Sequence, residues 1–169
     1  MIATWFHIIQ QHLSGLLNFL PRWALKRLYP IKKRIDNVAI WGDSRGVVIY
    51  LNPERAPAIS GLNILVFNRL PFPISLEMIQ FQISLSNYAF LEKKEQLTKS
   101  IDRNAFEQIQ CMEIDLDEGH VQQLKQKFAF DFPIVSFSGH VHCKSIAGDF
   151  DRRFSFSCLA LSYRAKETV

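Results

Sequence analysis

Formal charge is missing from residues 1–21, MIATWFHIIQQHLSGLLNFLP. A secretory signal needs positive charge ahead of its apolar stretch and small residues at a cleavage site, so that absence argues against one. The segment is long enough to span a bilayer, but His7, Gln10, Gln11, His12, Ser14 and Asn18 make it a poor lipid-facing cylinder. Acidic residues are the next absence. None lies among Arg22, Lys26, Arg27, Lys32, Lys33 and Arg34, so the net charge of +4 is concentrated in this stretch. Cysteine is scarce: Cys111, Cys143 and Cys158 are odd in number, widely spaced and free of any Cys-x-x-Cys pair. This favours reduced thiols over a disulfide framework, although a single Cys143–Cys158 bridge between neighbouring strands stays open. What remains is the composition of a folded chain, 48% apolar with 14 Phe in 169 residues, which gives room for one domain and a modest appendage.

The uncharged segment has a helical period. Ile2, Trp5, Phe6, Ile9, Leu13, Leu16, Leu17 and Leu20 recur at three- and four-residue steps and form one apolar stripe, with polar residues on the other face. Pro21 breaks or kinks that helix, and RWALKRLYP resumes a short amphipathic segment carrying Trp23, Leu25, Leu28 and Tyr29 among the bases. An apolar stripe with Trp followed at once by Arg22, Lys26, Arg27, Lys32, Lys33 and Arg34 predicts a helix at the headgroup level of an anionic membrane. If it spans, the basic flank puts the rest of the chain on the cytoplasmic side. The alternative is a helix that packs on the following domain or on a partner subunit, its bases merely solvated.

From Ile35 the period changes to two, which divides the chain into residues 1–34, a membrane-anchoring helical segment with a basic neck, and residues 35–169, a β domain. Ile35 to Trp41 and Gly46 to Leu51 read as strands flanking GDSR, an ordinary hairpin signal. Leu62 to Phe67 is a further strand. Ile79, Phe81, Ile83 and Leu85 alternate with polar residues, while Ile74, Leu76 and Met78 alternate in the opposite phase, which predicts a bulge near Met78–Ile79. Residues 105–116 form another strand. Asp117 caps a helix carrying Val121, Leu124 and Phe128. Alternating runs at Val135–Cys143 and Phe154–Ala160 close the chain as a hairpin around an AGD turn. About seven short strands at this spacing indicate an all-β fold, an antiparallel β-sandwich.

The segment GLNILVFNRLPFPISLEMIQFQISL resembles the central region of LEA14-like domains (LEA type 2, or WHy). In that family a hydrophobic strand ends in Asn, a Pro-rich turn containing Phe follows, and a second strand pairs back. Asn68, Pro71, Phe72 and Pro73 carry the likeness, which extends over about residues 35–163; Arg69 and Leu70 intervene where the family places proline directly after asparagine. The resemblance implies a non-enzymatic Ig-like sandwich, often tethered to membranes, that makes lipid or protein contacts and has no catalytic residues to carry over. Physically, Asn68 can bond local backbone, while Pro71 and Pro73 fix the turn so that Phe72 plugs the sandwich end.

Three chemistries compete with that expectation. Gly42-Asp43-Ser44, with Asp117 and His120 downstream, imitates a GDS-type serine esterase. Such enzymes, however, mount the serine between a parallel strand and a helix, and here Gly46-Val47-Val48-Ile49-Tyr50 is strand-like. His140 and His142 share one strand face at a spacing zinc can use, but need a third ligand from His120, Glu113, Asp115 or Asp117. The run EIDLDE lacks the glycine-centred loop of an EF-hand. Bases interleaved with aromatics on a β surface, as nucleic-acid binding wants, are absent. The expectation is therefore a binding module for an anionic lipid surface or a protein partner, or else an accessory subunit of a larger membrane complex, with no metal, cofactor or small-molecule substrate.

Overall fold

The computed structural model describes residues 15–17, 19–42, 47–50, 56–85, 88–110, 113–127 and 134–163. Short β-branched and aromatic runs build ten strands: β1 Val38–Gly42, β2 Val47–Tyr50, β3 Ala58–Ser60, β4 Asn63–Asn68, β5 Ile74–Leu85, β6 Tyr88–Ile101, β7 Ala105–Gln110, β8 Ile114–Asp115, β9 Ile134–Ser145 and β10 Phe150–Tyr163. They form a three-stranded sheet in the order β1-β4-β7 and a seven-stranded sheet in the order β6-β5-β9-β10-β2-β3-β8. Inward residues of both sheets, such as Ile64 and Val66 from one and Phe81, Phe137 and Val141 from the other, belong to a single buried cluster. Helices α1 Arg22–Leu28, α2 Ile31–Asp36 and α3 Glu118–Lys127 accompany them. The chain is thus predominantly β, in antiparallel sheets that share one core.

Period-two patterning places the buried side chains. In β5, Ile74 and Leu76 face inward, then Ile79, Phe81, Ile83 and Leu85 do, and the register slips between Leu76 and Met78 against both neighbours. The phase change in the sequence is this bulge, which returns the apolar set to the core. The β9–β10 hairpin pairs antiparallel from Phe150–Cys143 to Leu159–Ile134, and its turn holds Gly148 at φ +111, where a side chain would be strained. Gly139 has a different reason to be glycine: a Cβ there would meet Gln80 O at 2.1 Å and the Phe81 Cα at 2.7 Å, inside the β5–β9 ladder. Asp117 caps α3 as expected, its Oδ1 accepting from the His120 amide at 2.8 Å, and Leu124 faces the core.

Four expectations are corrected. β1 and β2 do not form a hairpin: β1 pairs with β4 in the smaller sheet, while β2 pairs with β3 and β10 in the larger one, so the stretch containing GDSR links two sheets. The β2–β10 ladder is parallel, joining Val47 to Ala160 and Tyr50 to Tyr163, within otherwise antiparallel sheets. Residues 105–116 are two strands in different sheets, β7 beside β4 and β8 beside β3. The fourteen-residue β6 was not expected at all, because EKKEQ hides its alternation. Among the described residues only β5 pairs with β6, and charged side chains are the usual protection of such an edge.

Candidate functional site

α1 and α2 each follow a proline, Pro21 and Pro30, whose fixed φ suits a helix start and which lacks the amide that would be left unpaired there. Both carry bases in the last turn, Lys26 and Arg27 in α1 and Lys33 and Arg34 in α2, which suits the negative end of the helix dipole, although α2 closes on Asp36. One side of this pair docks on the strands. Leu25 is buried in the common core, and the Tyr29 ring meets Phe72 edge-on at 5.2 Å. Arg34 is only 6% exposed and donates from Nη1 to Gly148 O at 2.6 Å and Asp149 O at 3.2 Å, with its guanidinium 5.5 Å from the Phe150 ring centre. Burial lowers the pKa of Arg34 while the Asp149 carboxylate acts to raise it.

This geometry sorts the residues expected at a membrane. Arg34 is spent inside the fold and is not a surface cation. Leu17 likewise belongs to the core cluster. The expected division at residue 34 falls within α2, and the basic segment shares a core with the strands. Elsewhere in this segment Leu16, Leu20, Trp23, Leu28 and Ile31 are exposed, with Phe19 at 86% and Trp23 at 70%. Arg22, Lys26, Arg27, Lys32 and Lys33 are exposed too, although Lys33 is steadied by Leu28 O at 3.3 Å and by the Tyr29 ring. Ile2, Trp5, Phe6, Ile9 and Leu13 lie outside the described residues. Among the described residues, no helix is long and apolar enough to cross a membrane.

Asn68 holds the turn beneath this platform. It is fully buried at the end of β4; its Oδ1 accepts from the Leu70 amide at 3.0 Å, and its Nδ2 donates toward Phe72 O, Ile101 O and Asp102 O at 2.9, 3.2 and 3.1 Å. One amide thus ties the proline-rich turn to the end of β6, and Phe72 is seated beneath Tyr29. The asparagine was expected to bond locally; the bonds to residues thirty-three and thirty-four positions away were not.

The residues of the competing chemistries are scattered. Ser44 lies outside the described residues. Asp117 Oδ1 sits 2.7 Å from His120 Nδ1, and the His120 amide leads the interactions that lower the Asp117 pKa; the imidazole packs edge-on to Phe90 at 4.7 Å. His142 Nδ1 meets Asp151 Oδ1 at 2.8 Å. The acids proposed as a third metal ligand lie on β8 or within two residues of it, and β10, β2 and β3 stand between β8 and β9. Among the described residues, no three His, Cys, Asp or Glu side chains gather around a cation position. Cys143 stands opposite Phe150 and Cys158 opposite Val135, far apart in register, and both thiols are free; the open question of a bridge is settled against it. Burial pushes the Cys143 thiol up to about 12 and also raises Cys158.

A second apolar surface had no counterpart in the sequence reading. On the outer side of the smaller sheet Trp41 stands opposite Leu65 and Phe106 opposite Phe67, with Trp41 and Phe106 exposed and Arg69 over the Phe67 ring. The signal for it was Phe106, out of phase with the buried Ile109 on the same strand.

No protein-family model matches the chain, and no curated protein matches it. Solved structures do. An Arabidopsis thaliana protein solved in solution superposes with a TM-score of 0.54 at 12% identity, over 74% of this chain and 83% of that one. The X-ray structure of the Northeast Structural Genomics Consortium target SoR45 superposes with a TM-score of 0.51 at 15% identity, over 72% of this chain and 85% of that one. At these identities the likeness concerns the fold alone.

Proposed function

We propose that this chain is a non-enzymatic binding module that rests on an anionic membrane surface through the exposed side of α1 and α2, with an Ig-like sandwich of the LEA14-like type behind it. The observation that carries this reading is the pairing of exposed apolar side chains, Phe19, Trp23, Leu28 and Ile31, with five exposed cations and no acidic residue between Arg22 and Arg34. Isolated exposed apolar residues are ordinary; several in one short stretch that also carries five exposed cations match an interfacial segment. Docking through Leu25, Tyr29 and Arg34 holds the two short helices ready, so binding costs little ordering of this segment. Each cation near the surface contributes about 1 kcal/mol, and the apolar side chains add about 25 cal/mol for each Å² they bury. The N-terminal stripe from Ile2 to Leu13 would insert beside them as an amphipathic helix, and the sandwich would lie on the cytoplasmic side, where anionic lipid is concentrated.

Flotation of the full chain with vesicles of phosphatidylcholine and phosphatidylserine tests this. Binding should require phosphatidylserine and weaken with salt. Replacing Trp23, Leu28 and Ile31 together by serine, or Arg27 and Lys32 by glutamate, should reduce binding at least tenfold. Equal flotation with pure phosphatidylcholine, or full binding by both variants, would remove the proposal. A second reading, an accessory subunit bound to protein, is favoured by the aromatic outer face around Trp41 and Phe106, since large aromatics are enriched where proteins meet. Co-purification of a stoichiometric partner that is lost on Trp41→Ser and Phe106→Ser substitution would support it.

A further inference from the structure

The outward rows of the β9–β10 hairpin read Ser136–Ser157, Ser138–Ser155, His140–Arg153 and His142–Asp151, each pair directly opposite across the ladder. The outer rows satisfy themselves. Ser136 and Ser157 hydrogen-bond at 2.8 Å, His142 Nδ1 meets Asp151 Oδ1 at 2.8 Å, and one step further along Lys144 pairs with Glu77 at 3.2 Å. The two middle rows do not. Among the described residues, no side-chain hydrogen bond or ion pair engages Ser138, Ser155, His140 or Arg153. Their β5 neighbours do not supply one: Gln80, opposite His140, donates instead to Glu92 at 2.7 Å.

At these two rows the surface sinks into an open depression of about 570 Å³ lined by Ser138, Gly139, His140, Arg153, Phe154 and Ser155. No carboxylate is among the lining residues. The set consists of a guanidinium, an imidazole and two hydroxyls, all able to donate, carried on two strands paired with each other at these rows, β9 being paired with β5 on its other side as well. A guanidinium offers a planar fork to two oxygens of an oxyanion, and hydroxyls and a ring N–H can reach others. The donors come from two neighbouring rows on two strands, a spread that suits the several terminal oxygens of a phosphate, while the guanidinium alone would suffice for a planar carboxylate.

We propose that this depression binds a phosphate group, with Arg153 as the charged anchor and His140, Ser138 and Ser155 as further donors. The site is separate from α1 and α2 and does not rest on the membrane reading. The phosphate can belong to a soluble phosphate ligand or to a lipid headgroup, and both present the same oxygens.

Amide NMR of the full chain titrated with inorganic phosphate, at ionic strength held constant with sodium chloride, tests it. Saturable shifts are expected at residues 138–140 and 153–155, and acetate at equal concentration should not reproduce them. Arg153→Gln should weaken phosphate binding roughly tenfold or more, because a charge-assisted fork is lost. Ser155→Asp, which places a negative charge in the depression, should abolish it, while Asp151→Asn in the self-paired row should not weaken it. Vesicles containing phosphatidate separate the sources when Arg27 and Lys32 are also replaced by glutamate to remove attachment through α1 and α2: if Arg153→Gln then loses the remaining vesicle binding the group is a headgroup, and if it loses only inorganic phosphate the ligand is soluble. Absence of saturable shifts at these residues, or wild-type affinity in Arg153→Gln, would overturn the assignment.

Discussion

Replacing Asn68 by alanine should cost more stability than any other single polar substitution in the described chain. The side chain is fully buried and satisfies four backbone groups: the Leu70 amide and the carbonyls of Phe72, Ile101 and Asp102. Alanine leaves the Leu70 N–H without its acceptor, at about 1–3 kcal/mol for a buried unpaired group, and strips a donor from three carbonyls. With water partly rescuing Asp102, the sum is about 3–5 kcal/mol. That is a large share of the 5–15 kcal/mol that holds a typical domain together. Urea denaturation should show a lowered midpoint with an unchanged slope, and the melting temperature should fall by about 10 °C. Asn68→Asp is the sharper probe. It keeps Oδ1 for Leu70 but aims a carboxylate oxygen at three carbonyls, so it should destabilise at least as much as alanine despite its matching shape. A loss under about 1 kcal/mol for Asn68→Ala, or an Asn68→Asp variant milder than Asn68→Ala, would refute the latch.

Arg34→Lys should lose about 2 kcal/mol of stability in urea, since an ammonium cannot hold the geometry that reaches both Gly148 O and Asp149 O, yet should leave vesicle flotation unchanged. The reverse outcome would return Arg34 to the membrane surface. The Cys143 thiol, raised by burial from 9.0 to about 12, stays protonated in the fold while the unfolded thiol ionises, so the unfolded state binds fewer protons above pH 9.0. Its contribution is therefore complete below pH 9.0 and is lost as pH rises toward 12, at about 1.4 kcal/mol per pH unit. Subtracting a Cys143→Val stability curve from wild type should isolate that slope, and parallel curves from pH 9 to 11 would contradict it. Native Cys143 should also resist iodoacetamide at pH 8 until urea unfolds the chain, as read by mass spectrometry.

Local patterns carried a good deal of this molecule. The opposed phases of Ile74, Leu76, Ile79 and Phe81 announced a bulge because only a register slip keeps both sets in the core. Asp117 announced its helix by the geometry of its side chain against the first-turn amides. The asparagine and prolines of NRLPFP marked a rigid turn, and Asn68 forms the bonds such a turn needs. β6 was illegible because an edge strand is half-solvated and selected for charge, which erases the apolar alternation that betrays interior strands. Arg34 was misplaced for a related reason. Six bases in one stretch look alike, and only the β9–β10 turn, with Gly148 O aimed at it, distinguishes a buried cation from the exposed ones beside it.

By itself, the amino-acid order determined which residues alternate, where the chain turns, and where charge and apolar surface are concentrated, since these follow from steric and solvation preferences within a few neighbours. Which strand lies beside which was decided only in three dimensions. The crossing from β1 to β2 between sheets, the parallel β2–β10 ladder, and the meeting of His140 with Arg153 on one open face depend on pairings between distant segments, and short-range preference does not encode these. The same three-dimensional arrangement buries Leu25 and Arg34 and leaves Trp23 and the neighbouring cations exposed.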